Sequence, residues 1–232
     1  MFEMGVLHKL LPPGARALVL SMFRKPMNIY LKQVERGIPK FRLSEKHLAH
    51  ARLLASRGDL LQVLPKHAIV AELGVDTGDF SAEILATCKP QKLHLVDFWG
   101  SKRYNQNKKE SVFARFQAQR EADMVQIHLG LSTDVASEFT DAYFDWIYID
   151  TDHTYATTYA ELNLYAPKVK PGGIIAGHDY SIGNWTEMRR YGVIEAVHRF
   201  CREQDWEIVW LTMESDFPQS FAIRNMQSSD LI

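Results

Sequence analysis

The sequence has little of what marks secreted, membrane-spanning or nucleic-acid-binding chains. Its two cysteines, Cys88 and Cys201, stand in no zinc-binding spacing, so neither a disulfide framework nor a structural zinc site is expected. No run approaches the roughly 18 apolar residues of a membrane span. The formal net charge is −1, which lacks the basic excess that extended contacts with nucleic acid need. We therefore expect a cytoplasmic protein with no transmembrane segment and no nucleic-acid partner.

What the sequence does have is the composition of a globular protein, with 46% hydrophobic and 24% charged residues. Its 232 residues are enough for one large domain. Basic residues concentrate at the start, since residues 1–42 hold eight lysines and arginines against two acids. We predict a basic N-terminal segment, residues 1–43, and one domain, residues 44–232. The segment is interpreted as a lid, an arm between subunits of a homo-oligomer, or a peripheral contact with an anionic membrane surface.

From about residue 44, short apolar runs alternate with amphipathic helical stretches, which is typical of a doubly wound sheet. A helix is predicted from Ser44 to Leu64, and five β/α units follow it. The last two strands, at 206–212 and 219–223, are too close in sequence for a crossover helix, so the final strand should be antiparallel. The prediction is an α/β fold with a seven-stranded, mostly parallel sheet, an antiparallel last strand and helices on both faces.

A glycine-rich loop follows the first strand of the β/α pattern. Residues 69–80 run from a buried strand through Glu-x-Gly-x-x-x-Gly directly into a helix. Gly74 would let the backbone pass close to a ligand, and Gly78 would allow the tight turn. Glu72 would suit a cationic part of the ligand or fix the loop by hydrogen bonds. Asp76 replaces the middle glycine of a dinucleotide-binding loop and would repel a pyrophosphate, so the loop favours a cofactor without phosphates.

Two later strand ends supply further candidates for binding this ligand. Asp97 ends the next strand, where such folds bind ribose hydroxyls, although an acid there can simply cap the following turn. Ser132 follows the third strand, where it would cap the next helix and also face an adenine edge. Capping alone is the alternative for Ser132.

Acids and histidines gather after two further strands. Asp150 and His153 follow one strand, and His178 and Asp179 follow the next. Because parallel strands end at the same edge of a sheet, the two groups should converge on one pocket. Their spacing fits a single metal ion bound by Asp150, His178 and Asp179, with open positions for substrate oxygens. A helix cap and a structural turn are the alternative interpretations.

Three linked motifs between residues 67 and 180 resemble a known family. They are the loop of residues 72–81, Asp-x-Asp-His-x-Tyr from Asp150, and the run of residues 170–180. Together they look like class I S-adenosylmethionine-dependent methyltransferases of the group that includes macrocin-type, metal-dependent sugar O-methyltransferases and cephalosporin hydroxylase-like proteins. The resemblance implies a Rossmann-like fold with bound S-adenosylmethionine. The cofactor-binding residues would be Glu72, Gly74, Gly78, Asp97, Ser132 and Asp150.

The resemblance also implies a reaction. In the metal-dependent members, residues matching Asp150 and Asp179 bind magnesium, and the histidine matching His153 is the base. His178 departs from the pattern, since the sugar methyltransferases have a carboxylate there, and a nitrogen suits manganese, iron or zinc better than magnesium. The implied activity is methyl transfer to a hydroxyl of a sugar or another small natural product, with His153 taking the proton near neutral pH and a divalent metal, Mg or Mn, orienting the hydroxyl.

Two other classes of function are compatible with the same residues. A metal-dependent oxygenase on this scaffold is the first, as the hydroxylase-like relatives imply. The second is a non-catalytic protein that binds S-adenosylmethionine or a glycan.

Overall fold

The computed structural model describes residues 12–184, 189–215 and 218–227. The chain divides into two units, residues 1–39 and residues 40–232. Among the described residues, no helix has both the length and the hydropathy needed to cross a membrane.

The described part of the first unit is one helix, α1 (Pro13–Arg36). Pro13 stands at the first helical position, where its missing N–H removes no hydrogen bond. The helix continues through Pro26, although proline removes a backbone donor from a helix interior. Residues 1–11 of the predicted basic segment lie outside the described residues.

The second unit is built on an eight-stranded sheet, whose order is β1-β9-β10-β6-β5-β2-β3-β4. Its strands are β1 (Arg52–Leu54), β2 (Ile69–Leu73), β3 (Lys92–Asp97), β4 (Val125–Leu129), β5 (Phe144–Ile149), β6 (Val169–Gly177), β9 (Trp206–Thr212) and β10 (Phe221–Asn225). A separate antiparallel pair consists of β7 (Gly183–Asn184) and β8 (Arg189–Arg190). The last strand, β10, is antiparallel to both of its neighbours, which confirms the predicted ending.

Helices cover both faces of the sheet. They are α2 (Arg57–Val63), α3 (Asp79–Cys88), α4 (Gln106–Arg115), α5 (Gln117–Glu121), α6 (Ser132–Val135), α7 (Tyr155–Tyr165) and α8 (Val193–Gln204), with 3-10 turns at Glu45–His47, Ala136–Glu138 and Ala166–Lys168. Alternate residues of β5 enter opposite cores: Tyr148 packs in the cluster that contains Ile84 of α3, and Ile147 packs in the cluster that contains Leu162 of α7. This alternation is what a sheet buried on both faces requires.

The predicted helix from Ser44 to Leu64 is wrong over most of its length. Ser44 caps only a 3-10 turn, and Arg52–Leu54 is a strand that pairs with the edge of β9 and adds the eighth strand. Ser56 then accepts a hydrogen bond from the backbone N–H of Asp59 and starts the short helix α2. Leucines at helical spacing produced the error, because pairing with an available sheet edge overrides a local helical pattern.

The sheet reverses its winding direction between β2 and β5. β2 pairs with β3 on one side and with β5 on the other, and all three strands are parallel. The loops that leave the carboxyl ends of β2 and β5 therefore start side by side at the switch point of the sheet, where doubly wound sheets bind their ligands.

Gly74 gives a direct test of how tightly these loops pack. Its φ is +87°, and a Cβ there would lie 2.0 Å from the carbonyl oxygen of Asp150. We expect Gly74→Ala to lower the free energy of unfolding by more than the roughly 1–2 kcal/mol that a left-handed conformation costs alone. Urea unfolding measures this.

Gly58→Ala is the matched control, because a Cβ at residue 58 would meet its nearest neighbour at an ordinary 3.5 Å. It should be neutral or slightly stabilising. Equal unfolding free energies for the two variants would contradict the close packing at Gly74.

Candidate functional site

A cavity of about 810 Å³ opens at the carboxyl ends of the central strands. Loops after β2, β3, β4, β5 and β6 all contribute to its walls. This is the edge at which ligands bind in doubly wound sheets. The predicted site residues that line it are Glu72, Gly74, Asp97, Ser132, Asp150, His153, His178 and Asp179.

The glycine loop makes the close backbone approach and the tight turn that its sequence predicts, and the packing around its two glycines explains why both are needed. Gly74 is left-handed because its backbone passes against that of Asp150, so the close approach is to the chain itself. Gly78 has a φ of +75° and precedes α3, and a Cβ there would lie 2.8 Å from the Phe116 ring. Both glycines are therefore required by neighbouring protein atoms.

Asp97 holds this loop in place. One carboxylate oxygen accepts hydrogen bonds from the backbone N–H groups of Val75, at 2.8 Å, and Asp76, at 3.0 Å. The other oxygen accepts from the N–H of Trp99 at 2.9 Å. These are the capping contacts of the alternative interpretation, and they leave Asp97 at the cavity wall, where its predicted contact with ribose stays a prediction.

Glu72 lies on β2 beneath the loop and is almost fully buried. Its carboxylate accepts a hydrogen bond from the Ser81 hydroxyl. Burial raises the pKa of Glu72 to about 8, since a desolvated carboxylate is costly. Glu72 is thus positioned to fix the loop and to face the cavity.

Ser132 does not cap its helix, so that part of its prediction is wrong. Leu131 is the N-cap of α6, with no side-chain cap, and Ser132 is the first helical residue. Its hydroxyl instead donates to the carboxylate of Glu161 on α7. A buried acceptor from another helix competes with the cap, and only the tertiary structure brings that acceptor near.

The acids and histidines after β5 and β6 do converge, as predicted. Nδ1 of His153 lies 2.8 Å from a carboxylate oxygen of Asp179 and 4.0 Å from one of Asp150. Nδ1 of His178 lies 3.7 Å from both carboxylates. One ligand atom each from Asp150, His153 and Asp179 lies within 4.8 Å of the others, and such a group could hold a metal ion. The predicted set of ligands is Asp150, His178 and Asp179, so the two sets differ in the histidine.

The backbone at this cluster is strained. His153 has a φ of +59° and Asp179 a φ of +55°, which are uncommon for residues with side chains. Such strain is found where the surrounding structure fixes a functional geometry.

The pKa values of the two acids in the cluster depend on their burial and on the neighbouring histidines. Burial favours the neutral form of Asp179, but the hydrogen bond and charge of His153, together with His178, outweigh it and hold the pKa of Asp179 well below its usual range. Burial raises the pKa of Asp150, although the same two histidines oppose it.

Comparison with known proteins identifies the domain. Residues 71–180 match the family model described as a methyltransferase domain. The chain carries a methyltransferase domain. Comparison with curated proteins finds no match.

Solved structures share the fold of this methyltransferase domain at low sequence identity. A SAM-dependent methyltransferase from Aquifex aeolicus has a TM-score of 0.55 at 9% identity, over 83% of this chain and 96% of that one. A protein from Streptococcus mutans in complex with SAH has a TM-score of 0.52 at 16% identity, over 72% and 93%. An O-methyltransferase family protein from Burkholderia thailandensis has a TM-score of 0.54 at 12% identity, over 72% and 55%.

The family match confirms the methyltransferase domain that the motifs predict, and the solved structures confirm its Rossmann-like fold. The chain spans about half the length of the Burkholderia protein and of another structure that it matches, the pyocyanin biosynthetic protein PhzM.

Sequence reasoning missed an arginine that lines the site and a buried acid behind two of the residues that line it. Glu161 is buried and accepts hydrogen bonds from Ser132 and Thr151, and burial raises its pKa to about 7. Arg57 lines the cavity, with its guanidinium 4.1 Å from the centre of the Phe80 ring. The pattern of α2 carried no signal for Arg57, because the predicted helix ran past the Ser56 cap that positions it.

The buried Glu72 makes the stability of the methyltransferase depend on pH. Its pKa rises from 4.5 to about 8 on folding, so between these pH values the folded chain keeps a proton that the unfolded chain has lost. The free energy of unfolding should therefore fall as pH rises through this window. We expect Glu72→Gln to reduce the loss between about pH 5 and pH 8, as measured by urea unfolding at each pH.

The exposed Glu121 supplies the control, because Glu121→Gln removes a carboxylate that folding leaves in water. It should retain the wild-type dependence on pH. A wild-type dependence in Glu72→Gln would mean that Glu72 is not the group responsible.

Proposed function

We propose that this methyltransferase transfers the methyl group of S-adenosylmethionine to a hydroxyl oxygen of a small acceptor such as a sugar. The observation that carries the proposal is the 2.8 Å contact between His153 and Asp179 at the wall of the cavity. Such a pair can accept a proton, and oxygen acceptors need a base because free hydroxyls hold their protons tightly.

The cavity fits the proposed cofactor in size and in charge. A volume of about 810 Å³ falls in the range of small-molecule sites. Asp150 offers a carboxyl group to the positively charged ammonium and sulfonium groups, and the buried, neutral Glu72 would accept a hydrogen bond from the ammonium. Asp97 would bind the ribose hydroxyls. Ser132, which follows β4, would face the adenine. Gly74 and Gly78 would contribute by shaping the loop.

The transfer itself needs geometry more than covalent chemistry. The acceptor oxygen attacks the methyl carbon, a C–O bond forms, the C–S bond breaks, and the sulfur keeps the bonding pair as a neutral thioether. Holding the oxygen in line behind the methyl carbon supplies much of the rate enhancement. The role of the protein is therefore to position the hydroxyl and to take its proton.

His153 can take the proton through Nε2. If Nδ1 carries a hydrogen bonded to Asp179, the other ring nitrogen is an acceptor, and the carboxylate stabilises the imidazolium once it forms. The low pKa of Asp179 keeps it ionised for this role. His178 lies close enough to both carboxylates to share the charge.

A divalent cation fits the same group of side chains. Asp150 and Asp179 would hold it together with a ring nitrogen of His153 or His178, and when bound it would lower the pKa of the acceptor hydroxyl. Nitrogen in the donor set favours manganese over magnesium.

The role of His153 is tested by His153→Asn. Asparagine tolerates the left-handed backbone at this position, so the change removes the base without adding strain. We expect turnover to fall about 10²- to 10⁴-fold while the affinity for S-adenosylhomocysteine changes only a few-fold. Acceptors are screened by release of S-adenosylhomocysteine, and its affinity is measured by isothermal titration.

His67→Asn is a matched control, since His67 is exposed, also left-handed, and outside the cavity lining. It should leave both quantities unchanged. Full turnover in His153→Asn would exclude His153 as the base. Iron-dependent oxygen consumption without methyl transfer would instead favour the oxygenase.

Metal dependence is tested by chelation. We expect turnover to fall after treatment with EDTA and to recover more with Mn²⁺ than with Mg²⁺, because the donor set contains ring nitrogens. Undiminished turnover after complete metal removal would show that His153 and Asp179 act without a metal ion.

A further inference from the structure

We propose that Arg57 binds the carboxylate at the methionine end of S-adenosylmethionine. The inference rests on the proposed function for its cofactor site and adds a residue that neither the motifs nor the family match assigns. It is carried by the position of Arg57, by the surroundings of its guanidinium and by the charge of the cavity.

Arg57 is held rigidly at the cavity wall. It is the first residue of α2, directly after the Ser56 cap. Its guanidinium lies over the Phe80 ring at 4.1 Å, and that ring packs against Tyr148 with 4.4 Å between centroids. A guanidinium fixed on an aromatic face loses little freedom when it binds a planar anion.

The guanidinium lies near an acid but is too far from it for a hydrogen bond. Nη1 of Arg57 lies 3.8 Å from Oδ2 of Asp150, which is longer than a hydrogen bond. The side chain keeps 29% of its surface exposed and lines the cavity. The guanidinium also has the Tyr148 hydroxyl as a hydrogen-bond neighbour, and its exposed part faces the cavity that a ligand would enter.

The charge of the cavity explains why a cation is needed here. Acids that line it in the described residues are Glu72, Asp76, Asp79, Asp97, Asp150, Asp152 and Asp179. Those that are ionised suit the ammonium and sulfonium groups of the cofactor but repel its carboxylate, whereas Glu72 is neutral. Arginine matches a carboxylate with two parallel hydrogen bonds and offsets this repulsion.

The sheet order places Arg57 at the correct end of the site. If Asp97 at the end of β3 binds the ribose, the adenine lies toward β4 and the methionine end toward β2 and β5. Arg57 contacts residues of that side, namely Phe80 after the β2 loop and Asp150 after β5.

Two other arginines of the described residues line the cavity, but they have different surroundings. Arg189 on β8 donates to the backbone carbonyl oxygen of Asp152, in the loop after β5. Arg103 belongs to the loop after β3, with its guanidinium 5.4 Å from the Tyr104 ring. Of the three, Arg57 is the one that stacks on a residue of the glycine loop's own helix.

The test compares two ligands that differ at the methionine end. S-adenosylhomocysteine has the carboxylate, whereas 5′-methylthioadenosine keeps the adenosine and the thioether but lacks the whole amino acid. By isothermal titration, we expect Arg57→Gln to weaken binding of S-adenosylhomocysteine about ten-fold or more, as loss of a charged hydrogen bond does, and to leave 5′-methylthioadenosine within about two-fold. The affinity of Arg57→Lys for S-adenosylhomocysteine should lie between those of the wild type and Arg57→Gln.

Arg120→Gln is the control, because Arg120 lies on α5, away from this cavity, with its guanidinium over Phe113. It should bind both ligands as the wild type does. Thermal unfolding of each variant verifies the fold, and Arg57→Lys retains the charge should Arg57→Gln be destabilised.

Two results would overturn the inference. Equal weakening of both ligands would mean that Arg57 only supports the loop. Unchanged binding of S-adenosylhomocysteine with a raised KM for an acceptor would assign Arg57 to an acid group of the acceptor. Failure of the proposed reaction is separate: ligand discrimination at Arg57 without methyl transfer to hydroxyl acceptors would count against O-methylation alone.

Discussion

The backbone contact between the ends of β2 and β5 holds the two halves of the site together. The N–H of Asp150 donates to the carbonyl oxygen of Leu73 at 2.8 Å, and residue 74 has no room for a Cβ beside it. The glycine loop and the loop that carries Asp150 and His153 therefore leave the sheet in direct contact. The positions of Asp150 and His153 relative to the glycine loop depend on this contact, and so does the line along which a methyl group would move.

The distribution of charge around this contact is the second constraint. Many carboxylates at one sheet edge would repel one another, and the fold reduces the repulsion in two ways. Burial favours the neutral forms of Glu72 and Glu161, raising their pKa values to about 8 and 7. Pairing with His153 keeps Asp179 ionised. Each carboxyl thus has its own environment, which allows acids at one edge to have different roles.

The fold was largely predictable from local patterns. Alternating strands and helices, a short final connection and a glycine-rich strand-to-helix loop predict a doubly wound sheet with an antiparallel last strand, as observed. The prediction failed where two structures suit the same residues. The leucines between Ser44 and Leu64 have helical spacing, yet β1 forms because the edge of β9 offers hydrogen bonds that a helix there would leave unused.

The sequence by itself determined the fold class and the strand ends at which polar side chains meet, because both follow from periodicity along the chain. Only the tertiary structure decided the partner of each side chain. His153 bonds Asp179, Ser132 bonds Glu161 instead of capping its helix, and Arg57 reaches the cavity from a helix far away in sequence. These pairings follow from distances between elements that pack together, and no local pattern records those distances.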